Sequence, residues 1–307
     1  MAPEPPSNQP LEQPPAQPSE PSSALPLTRA AVLGSPVAHS LSPVLHRAAY
    51  AALGLSGWTY EAIECREAGL PGRLAACETD PTGTWAGLSL TMPLKRAVLP
   101  LLDSVSDLAV AVGGANTVTF SGGRRVGDNT DVYGIVTALA EAGVAAPSSA
   151  VVLGGGATAC SALAALRELG LSAATVVVRD PRRAAEATAA AVRLDVTVTV
   201  RTFAELAGLL PVDLVVSTLP KDAADPYAPL IAASGAAVLD VVYAPWPTPL
   251  GAAAQRAGCT VVGGFPMLLH QAVRQVELMT GRPSGPVAAM RAAGAAELTA
   301  RQLAVRQ

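Results

Sequence analysis

Residues 150–170 read AVVLGGGATACSALAALRELG. Four apolar residues run into three glycines, and apolar positions then recur at helical spacing until Gly170: strand, tight turn, helix. Gly154, Gly156 and Ala159 fit G-x-G-x-x-A in that setting. The bare pattern is common by chance, and an ordinary glycine-rich turn of an α/β protein would look similar. The flanking strand and helix give it weight. Glycines there let a pyrophosphate approach the helix N-terminus closely, with Gly155, Ala157 and Thr158 completing the loop.

The segments that follow keep the same alternation. ATVVVRDPRR, VTVTVRTF, DLVVSTLP and AAVLDVVYAPWPTPLG supply further strands between helical stretches, which predicts a parallel sheet covered by helices. The second strand of this unit ends in Arg179, Asp180, Arg182 and Arg183. An acidic residue at that point would hold the ribose hydroxyls of NAD, and arginines would pair with the 2′-phosphate of NADP. Three cations against one anion favour NADP, with NAD possible.

Upstream, residues 34–46 (GSPVAHSLSPVLH) follow a short apolar strand with two serines, Ser40 and Ser42, before Pro43. Ser42 reads as the N-cap of the next helix, with proline at its first position. A capping hydroxyl keeps its own proton, so two such donors beside a helix N-terminus would also suit a carboxylate. WTYEAIEC and WAGLSLTMP read as strands, and ANTVTFSGGRRVGDNT as a hairpin with a glycine turn before a helix opened by Asp131.

The chain has 307 residues and a formal net charge of −3, enough for about two domains. Residues 1–28 are rich in Pro, Gln, Ser and Glu and read as a disordered tail without signal-peptide character. With three glutamates in that tail and no basic residue, the body is near neutral, which argues against a nucleic-acid partner. No apolar run reaches the length of a membrane span, and four scattered cysteines show no metal spacing. A cytoplasmic protein is expected, with core thiols and no metal. Lys95 and Lys221 are the two lysines among 21 basic residues. A lysine kept where arginine serves elsewhere points to amine chemistry, because a guanidinium does not exchange its proton at neutral pH. An alkoxide formed by reducing a ketone needs such a donor, and Asp131 could orient it. The plainer alternatives are a surface cation at Lys95 and a helix cap at Asp131.

Taken in order, GSPVAHSLSP, SLTMPLK, GGANT, GDNTD, GGGATA and GGFPMLLHQA resemble the shikimate dehydrogenase family over roughly residues 30–280, and SLTMPLK, WTYEAIEC and YAPWPTPLG resemble its actinobacterial branch. The resemblance implies two α/β domains with a cleft between them: a substrate domain with a mostly parallel sheet (29–131 and 264–307) and a Rossmann domain (132–263). It implies reversible NADP-dependent reduction of 3-dehydroshikimate to shikimate, a step of aromatic amino-acid biosynthesis, with a small-molecule substrate and a monomer or homodimer. It also implies roles: Ser40, Ser42 and Thr91 for the carboxylate, and Lys95 and Asp131 for catalysis. Asn116, Asp131 and Gln271 would take the ring hydroxyls, with Tyr243 lining the site and Thr218, Gly264 and Met267 beside the nicotinamide. His39 and His270 read as structural.

Three departures stand out. Ser89 replaces the Asn usual in the family's third motif, a change expected to weaken one support of the site. Ala157 stands for a glycine, and VRD stands where NRT is usual, so Asp180 bears on cofactor choice. Within the class the alternative is an NAD-preferring quinate/shikimate dehydrogenase, which a serine in place of Thr91 would favour. Outside it, a non-catalytic nucleotide-sensing paralogue would be expected to lack Lys95 or Asp131.

Overall fold

The computed structural model describes Met1 and residues 27–305; most of the tail therefore lies outside the described residues. The elements run β1 (Thr28–Gly34), α1 (Ser42–Ala52), β2 (Trp58–Glu64), α2 (Leu70–Glu78), β3 (Thr84–Leu90), α3 (Leu94–Ala97), β4 (Ser104–Val105), α4 (Asp107–Val112), β5 (Thr117–Ser121) and β6 (Arg124–Asp128). They continue through α5 (Asp131–Glu141), β7 (Ala150–Leu153), α6 (Ala157–Glu168), β8 (Ala173–Val178), α7 (Ala185–Leu194), β9 (Thr197–Thr202) and β10 (Leu214–Ser217). The last are α8 (Ala228–Ala233), β11 (Ala237–Asp240), α9 (Pro249–Arg256), β12 (Val261–Val262), α10 (Gly264–Thr280) and α11 (Val287–Val305). Among the described residues no helix is long and apolar enough to cross a membrane.

Two six-stranded sheets result. The second has the order β12-β11-β10-β7-β8-β9 and is parallel throughout. Every residue of β7 and β10 is buried, as expected of strands covered by helices on both faces. The chain steps outward from β7 to β9 and then returns to the other side of β7, so the order reverses between β7 and β10. Ligands of open α/β sheets bind at such a reversal, beyond the strands' carboxyl ends. Gly154 sits there with φ +108°, and a Cβ on it would meet the Thr218 hydroxyl at 2.5 Å.

The first sheet has the order β2-β1-β3-β5-β6-β4. Its β1–β2, β1–β3 and β4–β6 pairs are parallel, and the β5–β6 hairpin inserts two antiparallel pairs. Here the reversal lies at β1, so the loops after β1 and β3, carrying Ser40 and Thr91, meet at one edge. Thr28, assigned to the tail from composition, already pairs with Trp58 and Thr84, because the strand's apolar register extends back to it.

Helices α5 and α10 join the halves. Val132, Ile135 and Leu139 of α5 pack with Leu163 and Leu166 of α6 in one core, together with Met267 of α10. Each such fully buried side chain contributes roughly 1.5–3 kcal/mol. Gly134 on α5 permits the contact: a Cβ there would lie 2.6 Å from the Met267 carbonyl and 3.0 Å from the Gln271 Cβ. Leu269 and Val273 of α10 bury instead against Leu45 and Ala49 of α1 and Met290 of α11.

Candidate active site

The first element of the site is the turn after β1. Ser40 N–H donates to the Val37 carbonyl at 2.9 Å, and Ser42 N–H donates to the Ser40 hydroxyl at 3.2 Å. Ser42 is not the helix cap that the sequence predicts. It is the first residue of α1, Leu41 stands at the cap position without a side-chain bond, and the local capping acceptor is Ser40. Ser42 is 5% exposed. His46, one turn on, holds the Ser42 carbonyl through Nδ1 at 3.0 Å and stacks on Tyr60 with ring centroids 3.9 Å apart. A carbonyl only accepts, so Nδ1 carries a proton; burial pushes the pKa down to about 4, so the ring is neutral at neutral pH.

Thr91, just past β3, is tied to β1 by its N–H to the Leu33 carbonyl at 2.9 Å. The chain then turns into α3, where the Lys95 carbonyl accepts from Ala115 N–H at 2.8 Å. That bond brings Lys95 beside the segment leading to Asn116. Lys95 Nζ lies 2.5 Å from Asp131 Oδ2, with side chains 16% and 6% exposed. Asn116 Nδ2 donates to the other oxygen, Asp131 Oδ1, at 2.8 Å. Asp131 is not the helix cap: it is the first residue of α5, its side chain is turned to Lys95 and Asn116, and Thr130 precedes it without a capping bond. The turn is instead shaped by Asn129, whose Nδ2 donates to the Gly114 carbonyl at 2.8 Å and whose Oδ1 accepts from Asp131 N–H at 3.1 Å. A carboxylate held by an amide and an ammonium at the floor of a cleft can orient that ammonium for proton transfer to an adjacent oxygen.

From the other side, Gln271 on α10 accepts from Asn116 Nδ2 at 3.2 Å and donates to the Leu268 carbonyl at 2.9 Å. Tyr243, in the loop after β11, has its phenol pushed up by burial, an effect opposed by the nearby Arg301. Ser40, Ser42, Thr91, Lys95, Asn116, Asp131, Tyr243 and Gln271 all line one cavity of about 230 Å³, with Thr158, Gly264 and Met267. It adjoins a cleft of about 1040 Å³ that shares Thr91, Lys95 and Thr158 and adds Gly156, Ala157 and Thr218.

The start of α6 borders that cleft, and Gly156 at its cap position supplies no side-chain bond to the helix amides. Those N–H groups and the positive end of the helix suit a phosphate. Gly155 packs against the Arg183 carbonyl, where a Cβ would overlap it. Arg179, Asp180 and Arg183 lie apart from the cavity, at the surface beyond β8. Asp180 receives Arg182 Nη2 at 2.5 Å and Arg182 N–H at 3.0 Å, and these bonds hold its carboxyl below the usual range. The anion expected to bear on cofactor choice is thus engaged by its neighbour, and Arg179 and Arg183 remain on that surface.

Several contributors escaped sequence reading. Arg301 of α11 donates to the His39 carbonyl at 2.5 Å, and Gln302 donates to the Trp246 carbonyl at 3.0 Å, so one helix end touches both the serine loop and the Tyr243 loop. Arg96 and Glu186 form an ion pair between α3 and α7. Ser89 is 3% exposed, accepts from Tyr60 at 2.7 Å and donates to Gln275 at 2.7 Å. The four-residue spacing of Gln271 and Gln275 was the signal in the sequence, since it places both on one face of a helix.

This fold and site have close counterparts. Residues 32–118 match the shikimate dehydrogenase substrate binding domain, and residues 264–293 match the Shikimate 5'-dehydrogenase C-terminal domain. A shikimate dehydrogenase (NADP(+)) of Thermus thermophilus is 39% identical over 274 residues, covering 87% of this chain and 99% of that one. The crystal structure of Mycobacterium tuberculosis shikimate dehydrogenase superimposes with a TM-score of 0.80 at 44% identity, covering 88% of this chain and 99% of that one. A Thermus thermophilus shikimate 5-dehydrogenase in complex with NADP(H) and shikimate gives a TM-score of 0.76 at 35% identity, over 87% of this chain and 98% of that one. The chain belongs to the shikimate dehydrogenase family.

Proposed function

We propose that this protein catalyses the reversible, NADP-dependent reduction of 3-dehydroshikimate to shikimate. The observation that carries the reading is the Lys95–Asp131–Asn116 cluster at the floor of a cavity whose mouth opens on the uncapped start of α6. The β1–β6 half with α10 and α11 takes the substrate, and the β7–β12 half takes the dinucleotide. Ser40, Ser42 and Thr91 hold the substrate carboxylate through their hydroxyls. Asn116, Asp131 and Gln271 hold the ring hydroxyls.

The residues present fit the cofactor. The glycine turn at Gly154–Gly156, the free amides of α6 with Ala157 and Thr158, and the surface pair Arg179 and Arg183 would hold the pyrophosphate and 2′-phosphate; Thr218, Tyr243, Gly264 and Met267 would border the nicotinamide. When bound, NADP(H) supplies the hydride acceptor in one direction and the donor in the other. In reduction, Lys95 Nζ gives a proton to the ketone oxygen as charge develops on it; in oxidation, the amine takes that proton back. Asp131 keeps the ammonium beside that oxygen. In this reading the enzyme works in the cytoplasm as a monomer or homodimer.

The test is oxidation of shikimate and of quinate with NADP and with NAD, followed by the absorbance of the reduced cofactor. Fastest turnover with shikimate and NADP is expected. Preference for NAD with quinate would instead make the Asp180 carboxylate a ribose ligand, and no turnover with any pair would remove the catalytic reading.

A further inference from the structure

At the back wall of the cavity, which Ser89 and Gln275 also line, runs a set of polar side chains that the reaction as described does not use. Tyr60 on β2, Ser89 on β3, Thr117 on β5 and Gln275 on α10 are 1%, 3%, 0% and 1% exposed. Polar atoms buried this deeply in an apolar setting persist only where each finds a partner, and here the partners form one chain. Burial pushes the Tyr60 phenol up, so it stays protonated. It donates to Ser89 at 2.7 Å, close to Ser42, which also touches the phenol. Ser89 passes its own proton to Gln275 Oε1 at 2.7 Å.

The direction of the rest follows from what each atom can do. The Asn116 backbone carbonyl only accepts, and it faces Gln275 Nε2 at 3.2 Å, which fixes that amide's orientation. The same Nε2 donates to the Thr117 hydroxyl at 3.1 Å, so the Thr117 proton goes to Asn116 Oδ1 at 2.9 Å. Thr130 N–H also donates to Asn116 Oδ1, at 2.8 Å, which leaves Asn116 Nδ2 turned toward Asp131 Oδ1 at 2.8 Å. Every donor in the series points the same way, from the back of the serine helix to the Asp131 carboxylate.

We propose that Gln275 is a positioning residue of this active site: with Tyr60, Ser89 and Thr117 it forms a one-directional hydrogen-bond chain that holds the Asn116 amide against Asp131. The proposal rests on the reading of Asn116 and Asp131 as substrate-hydroxyl residues. It also accounts for the serine at position 89, whose hydroxyl both accepts from Tyr60 and donates to Gln275. Gln275 thereby ties α10, which carries Gln271 one turn earlier, to the strand that leads from Asn116.

The experiment compares Gln275→Met, length-matched and without polar atoms, with wild type, in the native and the Asn116→Ala backgrounds. Shikimate turnover with NADP, both KM values and thermal midpoints are read. In the native background kcat/KM for shikimate should fall about tenfold, the scale of a small displacement of a reacting group, with KM for NADP unchanged. In the Asn116→Ala background the same substitution should change kcat/KM less than twofold, because its route to the chemistry is already cut. Should Gln275→Met not fold, Tyr60→Phe removes one oxygen at the far end and should give a loss of about threefold with the same non-additivity. Equal losses in both backgrounds, or a lowered midpoint with unchanged kinetics, overturn the inference. A wild-type kcat/KM in Asn116→Ala overturns both the site reading and the inference; loss there with an unaffected Gln275→Met overturns the inference alone.

Discussion

Replacing Lys95 by methionine separates what the Lys95–Asp131 pair does for the fold from what it does for the reaction. The Asp131 carboxylate is 6% exposed on its side chain and has two side-chain donors, Lys95 at 2.5 Å and Asn116 at 2.8 Å. Lys95→Met leaves that buried charge with the amide alone. Breaking a buried pair from one side costs about 3–5 kcal/mol, and the pair borders a cavity, so the low end, about 3 kcal/mol, applies. In a chain of this size that is a fall in melting temperature of roughly 4–6 °C. Turnover should fall by roughly 10²–10⁴, the range for loss of a proton-transfer group. The double variant Lys95→Met/Asp131→Asn removes the stranded charge and should recover most of the melting temperature while staying as slow as the single. Lys95→Arg keeps the charge but has no proton to give at neutral pH, and should remain slow. The assays are calorimetric or fluorescence melting and the reduced-cofactor absorbance. Near-normal turnover in Lys95→Arg would refute proton transfer by Lys95, and an unchanged melting temperature in Lys95→Met would show that the pair is not held in solution.

Arg179→Ala or Arg183→Ala should weaken NADP roughly ten- to hundredfold more than NAD, the size of one charge-assisted contact to the 2′-phosphate; equal loss for both cofactors would refute that role. His46 should make stability fall with acid. Its folded pKa of about 4 lies below the ordinary 6.5, so its contribution is complete above pH 6.5 and is lost as pH drops toward 4. The expected loss between pH 7 and pH 5 is about 2 kcal/mol, read from urea unfolding, and it should vanish in His46→Phe; parallel pH curves for the two proteins would exclude it. Arg301→Ala, which frees the His39 carbonyl, should raise KM for shikimate roughly fivefold with NADP unaffected, as for one partly exposed hydrogen bond, and Arg301→Lys should restore part of it. An unchanged KM in Arg301→Ala would reduce the α11 contact to a structural one.

The sequence alone determined the order of elements, and its motifs pointed to eight residues that lie along the pocket. Strand–turn–helix units leave a local signature in hydrophobic period and glycine placement, and β7 and α6 lie where AVVLGGGATACSALAALRELG puts them. The scarcity of lysine drew attention to Lys95, and the paired serines to the turn after β1. All eight residues named for the substrate line one cavity, because the strand reversals at β1 and at β7 bring loops far apart in the chain to facing edges.

Only the tertiary structure decided how those residues are held. A helix boundary shifts by one residue at no local cost, so Ser42 and Asp131 could be read as caps until their side-chain partners were in view. The engagement of Asp180 by Arg182 depends on how the loop past β8 folds. The chain from Tyr60 to Asp131 joins residues up to 215 positions apart in sequence terms, counting from Tyr60 to Gln275, and no local pattern encodes such a path. It is set by the burial of β3 and β5 against α10, with Tyr60 reaching in from β2, where each polar atom must find a partner that the fold alone can bring to it.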